Sequence, residues 1–377
     1  MLLFFYTYLY FFEMTDFLNQ ILSIASQKKY SDVHLSTWAY PLIRDHSGKI
    51  QDIDEIVNET WESIKIPVLS KEQIESIILS IAWEGGLQKF KETFELDVSY
   101  KYEEKERYRV NCYIDSNGYS IAMRSIPQKI PTLEELGLWE QIKQLCGKSK
   151  GLVLMTGPTG TGKSTNIAAM IDYINKTYNK HIITIEDPIE FVFHNDKSII
   201  NQREVGTHTK SFDAAIRACL REDPDVIVIG EMRDPETIKS AITLAETGHL
   251  VLSTLHTNDT VQTIDRIVDV FPAEQQDQIR MQFAMSLLAI VSQRLLPRQD
   301  ADARIAAREI LINNDAVRNL IITGKNHQLY SVLEVGQKDG MILMDKYLVA
   351  LYRKNLISKE SLLSFSRDKE NIELLLR

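Results

Sequence analysis

The stretch Gly151-Leu152-Val153-Leu154-Met155-Thr156-Gly157-Pro158-Thr159-Gly160-Thr161-Gly162-Lys163-Ser164-Thr165 decides the fold. Six residues of buried-strand character run into a glycine loop, and the loop opens a helix predicted to reach about Asn175. From Gly157 onward the segment matches G-x-x-x-x-G-K-[ST] in full, in the strand-to-helix setting that the motif needs. Glycines let backbone amides turn inward on a β-phosphate, and a helix N-terminus adds partial positive charge there. Lys163 then reaches the β- and γ-phosphates, and the Ser164 hydroxyl ligates Mg²⁺. Gly157, Pro158, Thr159, Gly160, Thr161, Gly162, Lys163, Ser164 and Thr165 are therefore read as a site for ATP with Mg²⁺.

Downstream, His181-Ile-Ile-Thr-Ile, Val226-Ile-Val-Ile-Gly and Leu250-Val-Leu-Ser-Thr are further near-continuous apolar runs. Such runs are what a parallel sheet covered on both faces requires, so an α/β domain is expected from about residue 138 to 377. After about residue 272 the chain reads as mostly helical. Upstream, residues 14–126 read as an α+β domain. Phe17 to Ala25 and Lys71 to Leu79 have helical spacing, and Tyr108 to Arg124 is a hairpin turning at Asn117-Gly118. Pro127 and Pro131 interrupt regular structure, which places an interdomain linker at 127–137.

Length and composition fit this division. At 377 residues the chain exceeds the usual size of one core. Its net charge of −9 comes from interspersed acids and bases, so no electrostatic footprint for nucleic acid exists and none is expected as a partner. Three separated cysteines, Cys112, Cys146 and Cys219, form no disulfide framework or zinc pattern and suit a reducing cytoplasm. The first twelve residues are apolar, too short for a membrane span and without the basic flank of a signal peptide. Met14 is the expected natural start, which N-terminal sequencing checks.

Four further groups carry chemistry. In Asp223-Pro-Asp225-Val-Ile-Val-Ile-Gly230-Glu231, an apolar strand ends at an acid; Gly230 stands where an Asp is usual, and Glu231 falls near the metal and γ-phosphate. Thr184-Ile-Glu-Asp-Pro-Ile-Glu190 runs a strand into three carboxylates, where a group orienting the attacking water belongs. His249 and His256 bracket a strand; both are read as approaching the phosphates, or else as structural histidines. Arg109 and Arg124 sit on the hairpin, as phosphate-binding guanidiniums or as plain surface charges.

Together with Ser-Asp-Val-His-Leu (31–35), Met-Arg-Ser-Ile-Pro (123–127), Asn-Gln-Arg-Glu-Val-Gly (201–206), Gly-Glu-Met-Arg-Asp (230–234) and Gln-Lys-Asp-Gly-Met (337–341), these residues resemble the secretion ATPase superfamily, and within it the PilT-like twitching-motility retraction ATPases. The resemblance implies a PAS-like N-terminal domain, a RecA-like C-terminal P-loop ATPase domain, and a homohexamer with nucleotide at its interfaces. It implies that Glu190 activates water, that Glu231 serves metal or water, and that His249 and His256 form a histidine box. Arg109 and Arg124 become interface arginines. The implied function is pilus retraction at the cytoplasmic face of the inner membrane, with a platform protein and the pilin machinery as partners.

The four-cysteine zinc module of PilB and GspE types is missing from the sequence, which favours retraction. Ala316-Val-Arg-Asn-Leu-Ile-Ile-Thr323, however, lacks the last two charged residues of the retraction ATPases' Ala-Ile-Arg-Asn-Leu-Ile-Arg-Glu. That difference bears on coupling rather than on ATP hydrolysis, and the alternative is an ATPase energising a type IVB or type II-like secretion apparatus.

Overall fold

A computed structural model describes residues 2–28, 30–44, 49–53, 67–102, 106–126, 129–138, 140–301 and 303–375; Pro127 and Gln128 of the expected linker lie outside them. The chain divides into two compact units, Met1–Lys129 with Glu190–Val192, and Ile130–Ile189 with Phe193–Arg377.

The first unit comprises α1 (Leu2–Gln27), β1 (Asp32–Ser36), β2 (Leu42–Arg44), β3 (Ile50–Asp52), α2 (Lys71–Thr93), β4 (Glu95–Tyr102), β5 (Glu106–Asp115) and β6 (Gly118–Ile126). Its antiparallel sheet has the order β3-β2-β1-β6-β5-β4. Leu18, Ile21, Leu22 and Ala25 of α1 are buried at helical spacing, as are Ile74, Ile77, Ile78 and Ile81 of α2. The helix expected from Phe17 is longer than its apolar spacing suggests, because it begins at Leu2. Helix α2 keeps its path through Gly85 and Gly86, each costing about 1 kcal/mol against Ala. Burying each Ile contributes roughly 1.5–3 kcal/mol, so packing outweighs propensity here. A capping box starts the helix: Ser70 Oγ accepts from Gln73 N–H at 3.3 Å, and Ser70 N–H donates to Gln73 Oε1 at 2.8 Å.

The second unit runs α3 (Glu140–Cys146), β7 (Gly151–Thr156), α4 (Lys163–Thr177), β8 (His181–Glu186), β9 (Ile199–Glu204), α5 (Phe212–Cys219), β10 (Val226–Ile229), α6 (Pro235–Glu246), β11 (Leu250–Leu255), α7 (Thr260–Asp269) and α8 (Ala273–Ser286). Strands β12 (Leu287–Pro297) and β13 (Arg304–Ile312) follow, then α9 (Asp315–Ile322), α10 (Leu329–Val335), α11 (Met344–Arg353), α12 (Lys359–Phe365) and α13 (Lys369–Leu375). The sheet order is β13-β12-β7-β11-β10-β8-β9, parallel except for β13 at its edge.

Neighbouring strand residues bury on opposite faces, as the period of two demands. Leu152, Leu154, Ile227 and Ile229 pack with α5 to α8, whereas Val153, Met155, Val226 and Val228 pack with α3 and α4. The expectation of a mostly helical chain after 272 is wrong over 287–312. Leu287 to Pro297 is a short apolar run whose periodicity cannot separate strand from helix, and its adjacent Ile290 and Val291 are β-branched. All three cysteines are buried; burial pushes the Cys112 and Cys146 thiols up to about 12 and Cys219 to about 11, so they behave as inert apolar groups. No helix among the described residues is long and apolar enough to cross a membrane.

Candidate active site

The C-terminal ends of β7, β10 and β11 lie side by side, and the chemistry collects there. Gly157 leaves β7 with φ +141°, and a Cβ at this position would strike the Gln293 carbonyl of β12, so only glycine fits. Gly162, at φ +85°, is the N-cap of α4, and the first amides of that helix have no partner within it. Lys163 is buried; its Nζ donates to the carbonyl oxygens of Gly157 at 2.8 Å and Pro158 at 2.9 Å. Those two carbonyls hold the ammonium inside the loop, where phosphate oxygens would meet it. Ser164 is the next residue of α4, at the same helix end.

His256 follows β11 directly and connects the loop to the acid after β10. Its Nδ1 lies 3.4 Å from both Lys163 Nζ and Thr159 Oγ1. Its Nε2 lies 3.2 Å from Glu231 Oε1. Lysine can only donate, so Nδ1 accepts and Nε2 carries the hydrogen toward Glu231. Glu231 Oε2 accepts from Arg233 Nε at 2.8 Å, which completes a Lys163–His256–Glu231–Arg233 chain. The turn bearing Glu231 is pinned to β11, where Thr254 Oγ1 donates to Gly230 O at 2.6 Å and Met232 N–H to Thr254 O at 3.1 Å. Gly230 itself lies against β8: a Cβ there would stand 3.2 Å from Ile185 O.

His249 is not part of this cluster. It precedes β11, at the opposite end of the strand, and seven residue steps at about 3.3 Å each put it about 23 Å along the strand from His256. Its Nδ1 lies 3.0 Å from the Leu244 carbonyl at the end of α6. The expectation that both histidines approach the phosphates therefore fails for His249, because bracketing a strand puts two residues at opposite ends of it.

The acidic loop after β8 is fixed by side chains of β9. Glu204, buried, accepts from Ile189 N–H at 3.0 Å, and Gln202 Oε1 accepts from Phe193 N–H at 3.0 Å. Glu190 lies between these anchors, in the 190–192 segment that groups with the first unit. Arg109 and Arg124 belong to the first unit and are register partners across β5 and β6. Arg124 Nε also donates to Asp32 Oδ1 at 2.7 Å.

Gln293, Asn166 and Arg308 escape sequence reading. Gln293 Oε1 accepts from Asn166 Nδ2 at 2.8 Å and Arg308 Nε at 2.6 Å, while its Nε2 donates to the Thr161 carbonyl at 2.5 Å. The signal in the sequence is three consecutive polar residues, Ser292, Gln293 and Arg294, interrupting an apolar run.

A phosphate loop on a mostly parallel sheet, with a lysine, a histidine and a carboxylate in line, defines a nucleoside triphosphatase. The family described as type II/IV secretion system protein matches residues 91–362, and the chain belongs to it. It is 43% identical to the type IV pilus retraction ATPase PilT of Pseudomonas aeruginosa, over 94% of this chain and 99% of that one. The crystal structure of the pilus retraction motor PilT with bound ADP matches with a TM-score of 0.86, at 43% identity, covering 94% of this chain and 98% of that chain. The Legionella pneumophila ATPase DotB matches with a TM-score of 0.80 at 27% identity, over 92% and 94% of the two chains. The protein is thus an ATPase, similar to the pilus-retraction ATPase PilT over nearly the whole of both chains.

Proposed function

We propose that the chain is a homohexameric motor whose hydrolysis of ATP with Mg²⁺ powers type IV pilus retraction and twitching motility. The likeness to the retraction ATPase PilT carries this reading, and the Lys163–His256–Glu231 chain at the mouth of the phosphate loop supports its nucleotide chemistry. ATP binds along Gly157–Thr165 with Lys163 on its β- and γ-phosphates. The Ser164 hydroxyl and the Glu231 carboxylate are oxygen donors of the kind Mg²⁺ takes. Glu190 orients water; His256, held between the lysine and Glu231, senses the γ-phosphate. His249 is left out of the chemistry at its own loop.

In this reading the second unit is RecA-like and the first PAS-like. Arg109 and Arg124 complete a neighbouring subunit's site when the ring closes. The motor works on the cytoplasmic face of the inner membrane, against a platform protein and the pilin machinery. Arg109→Ala is expected to lower turnover while ATP still binds at the loop, and unchanged turnover would remove Arg109 from the site.

A second reading, an ATPase energising a type IVB or type II-like secretion apparatus, draws on the DotB likeness and on the end of α9. There Ile322 and Thr323 replace charges, and Thr323 Oγ1 donates back to Asn319 O at 2.8 Å. The test is replacement of the retraction ATPase in a piliated bacterium by this chain or by its Lys163→Ala variant. Retracting pili with the wild type alone support the motor. Static pili with both, beside restored secretion in a host lacking its secretion ATPase, favour the second reading.

A further inference from the structure

Arg308 is 2% exposed, on the edge strand β13, and its guanidinium contacts no carboxylate among the hydrogen bonds and ion pairs of the described residues. Burying such a charge is costly, and it is met by several acceptors at once. Arg308 Nη2 donates to Leu136 O at 2.7 Å, Nη1 to Gly137 O at 3.3 Å and Nε to Gln293 Oε1 at 2.6 Å, with Tyr347 of α11 also against it. Burial still pulls its pKa below the ordinary arginine value. Leu136 and Gly137 belong to the turn at 133–138, whose Leu133 and Leu138 are buried in the core beneath α3 and α4. This is the first ordered turn of the second unit after residue 130.

Gln293 receives that constraint and passes it on. Two donors, from Arg308 and Asn166, fix its oxygen, so its amide hydrogens must face the other way, toward the Thr161 carbonyl. A peptide group is planar, so anchoring the carbonyl of Thr161 also fixes the opposed N–H of Gly162. That N–H lies at the N-cap of α4, among the amides that a phosphate would meet.

We propose that Gln293 is a positioning residue for the phosphate loop, and that Arg308 links it to the 133–138 turn so that nucleotide occupancy and the conformation of that turn are coupled. The proposal rests on nucleotide binding at Gly157–Thr165 and extends it to residues outside the motif. Gln293→Glu separates the parts: a carboxylate still accepts from Arg308 and Asn166 but cannot donate to Thr161.

The test uses the full chain, with ADP and Mg²⁺ as the probe. Gln293→Glu is expected to melt within a few degrees of wild type and to weaken ADP binding about tenfold, the loss of one buried hydrogen bond facing a carbonyl. Arg308→Lys, which cannot span all three acceptors, should weaken ADP about threefold. Residues with a merely structural role would lower the melting temperature and leave affinity unchanged. In wild type, ADP should slow amide exchange at 133–138 as well as at 157–166, and Arg308→Lys should abolish the first effect alone. Unchanged affinity in the folded variants, or a 133–138 turn insensitive to ADP while the loop is protected, overturns the proposal. If neither variant folds, the wild-type exchange pattern decides it. Wild type that binds no ADP would instead overturn the nucleotide reading beneath it.

Discussion

The two ends of the central sheet are built from the same strands yet differ in chemistry. At the C-terminal end, β7 opens into a glycine loop, β10 runs out into Gly230-Glu231 and β11 into His256. At the N-terminal end, the polar groups are spent on one another. His249 O accepts from Gly151 N–H at 3.0 Å, Asp225 O accepts from Leu250 N–H at 3.0 Å, and the Asp225 carboxylate holds Lys180 Nζ and His181 N–H. Parallel strands place every strand-to-helix turn, and the start of every following helix, at one end. Donors accumulate at that end, while the other is closed by its own hydrogen bonds.

Lys163→Ala should produce the largest break, since it removes the charge that neutralises the phosphates. ATP turnover is expected to fall by a factor on the order of 10³, measurable by phosphate release. His256→Ala should lower kcat by about 10–100-fold with a small change in nucleotide affinity, because it breaks the Lys163–Glu231 connection without touching the loop backbone. His249→Ala sharpens the contrast: nucleotide affinity should stay within about twofold, and calorimetry should show only the loss of one hydrogen bond, about 1 kcal/mol. A His249 variant as impaired in nucleotide binding as the His256 variant would erase the distinction between the ends.

The smallest effect concerns the first unit. The Asp32 carboxyl is held below its ordinary value of 3.8; burial works against this, and the hydrogen bonds from Arg124 and Ser31 outweigh it. Its folded pKa is depressed, so the stability it contributes is present above the ordinary value and is lost as pH falls through the lower, folded one. Arg124 is largely exposed, so solvent screens the pair and Asp32→Asn should cost no more than about 1 kcal/mol at pH 7. The cost should shrink toward zero in acid, as pH-dependent denaturation measures.

Contiguity decided what the sequence could reveal. The phosphate loop occupies nine consecutive residues, and its local backbone needs are written in its glycines. The sequence gives the spacing of His249 and His256 along a strand but not which end of the strand faces the ligand. The eleven largely apolar residues of β12 satisfy either period, and only its neighbours β7 and β13 make it a strand. Gln293 and Arg308 were invisible for a different reason. Gln293 meets Thr161 across 132 positions, and Arg308 meets Leu136 across 172, so their roles exist only once the sheet has formed.

The central claim is that the C-terminal end of the sheet hydrolyses ATP rather than only binding it. Its most direct test compares ATP affinity and steady-state hydrolysis for wild type and Glu231→Gln. The variant should bind ATP with near wild-type affinity and hydrolyse it slower by a factor on the order of 10²–10³. Equal rates in the two proteins, at whatever affinity, would contradict the account.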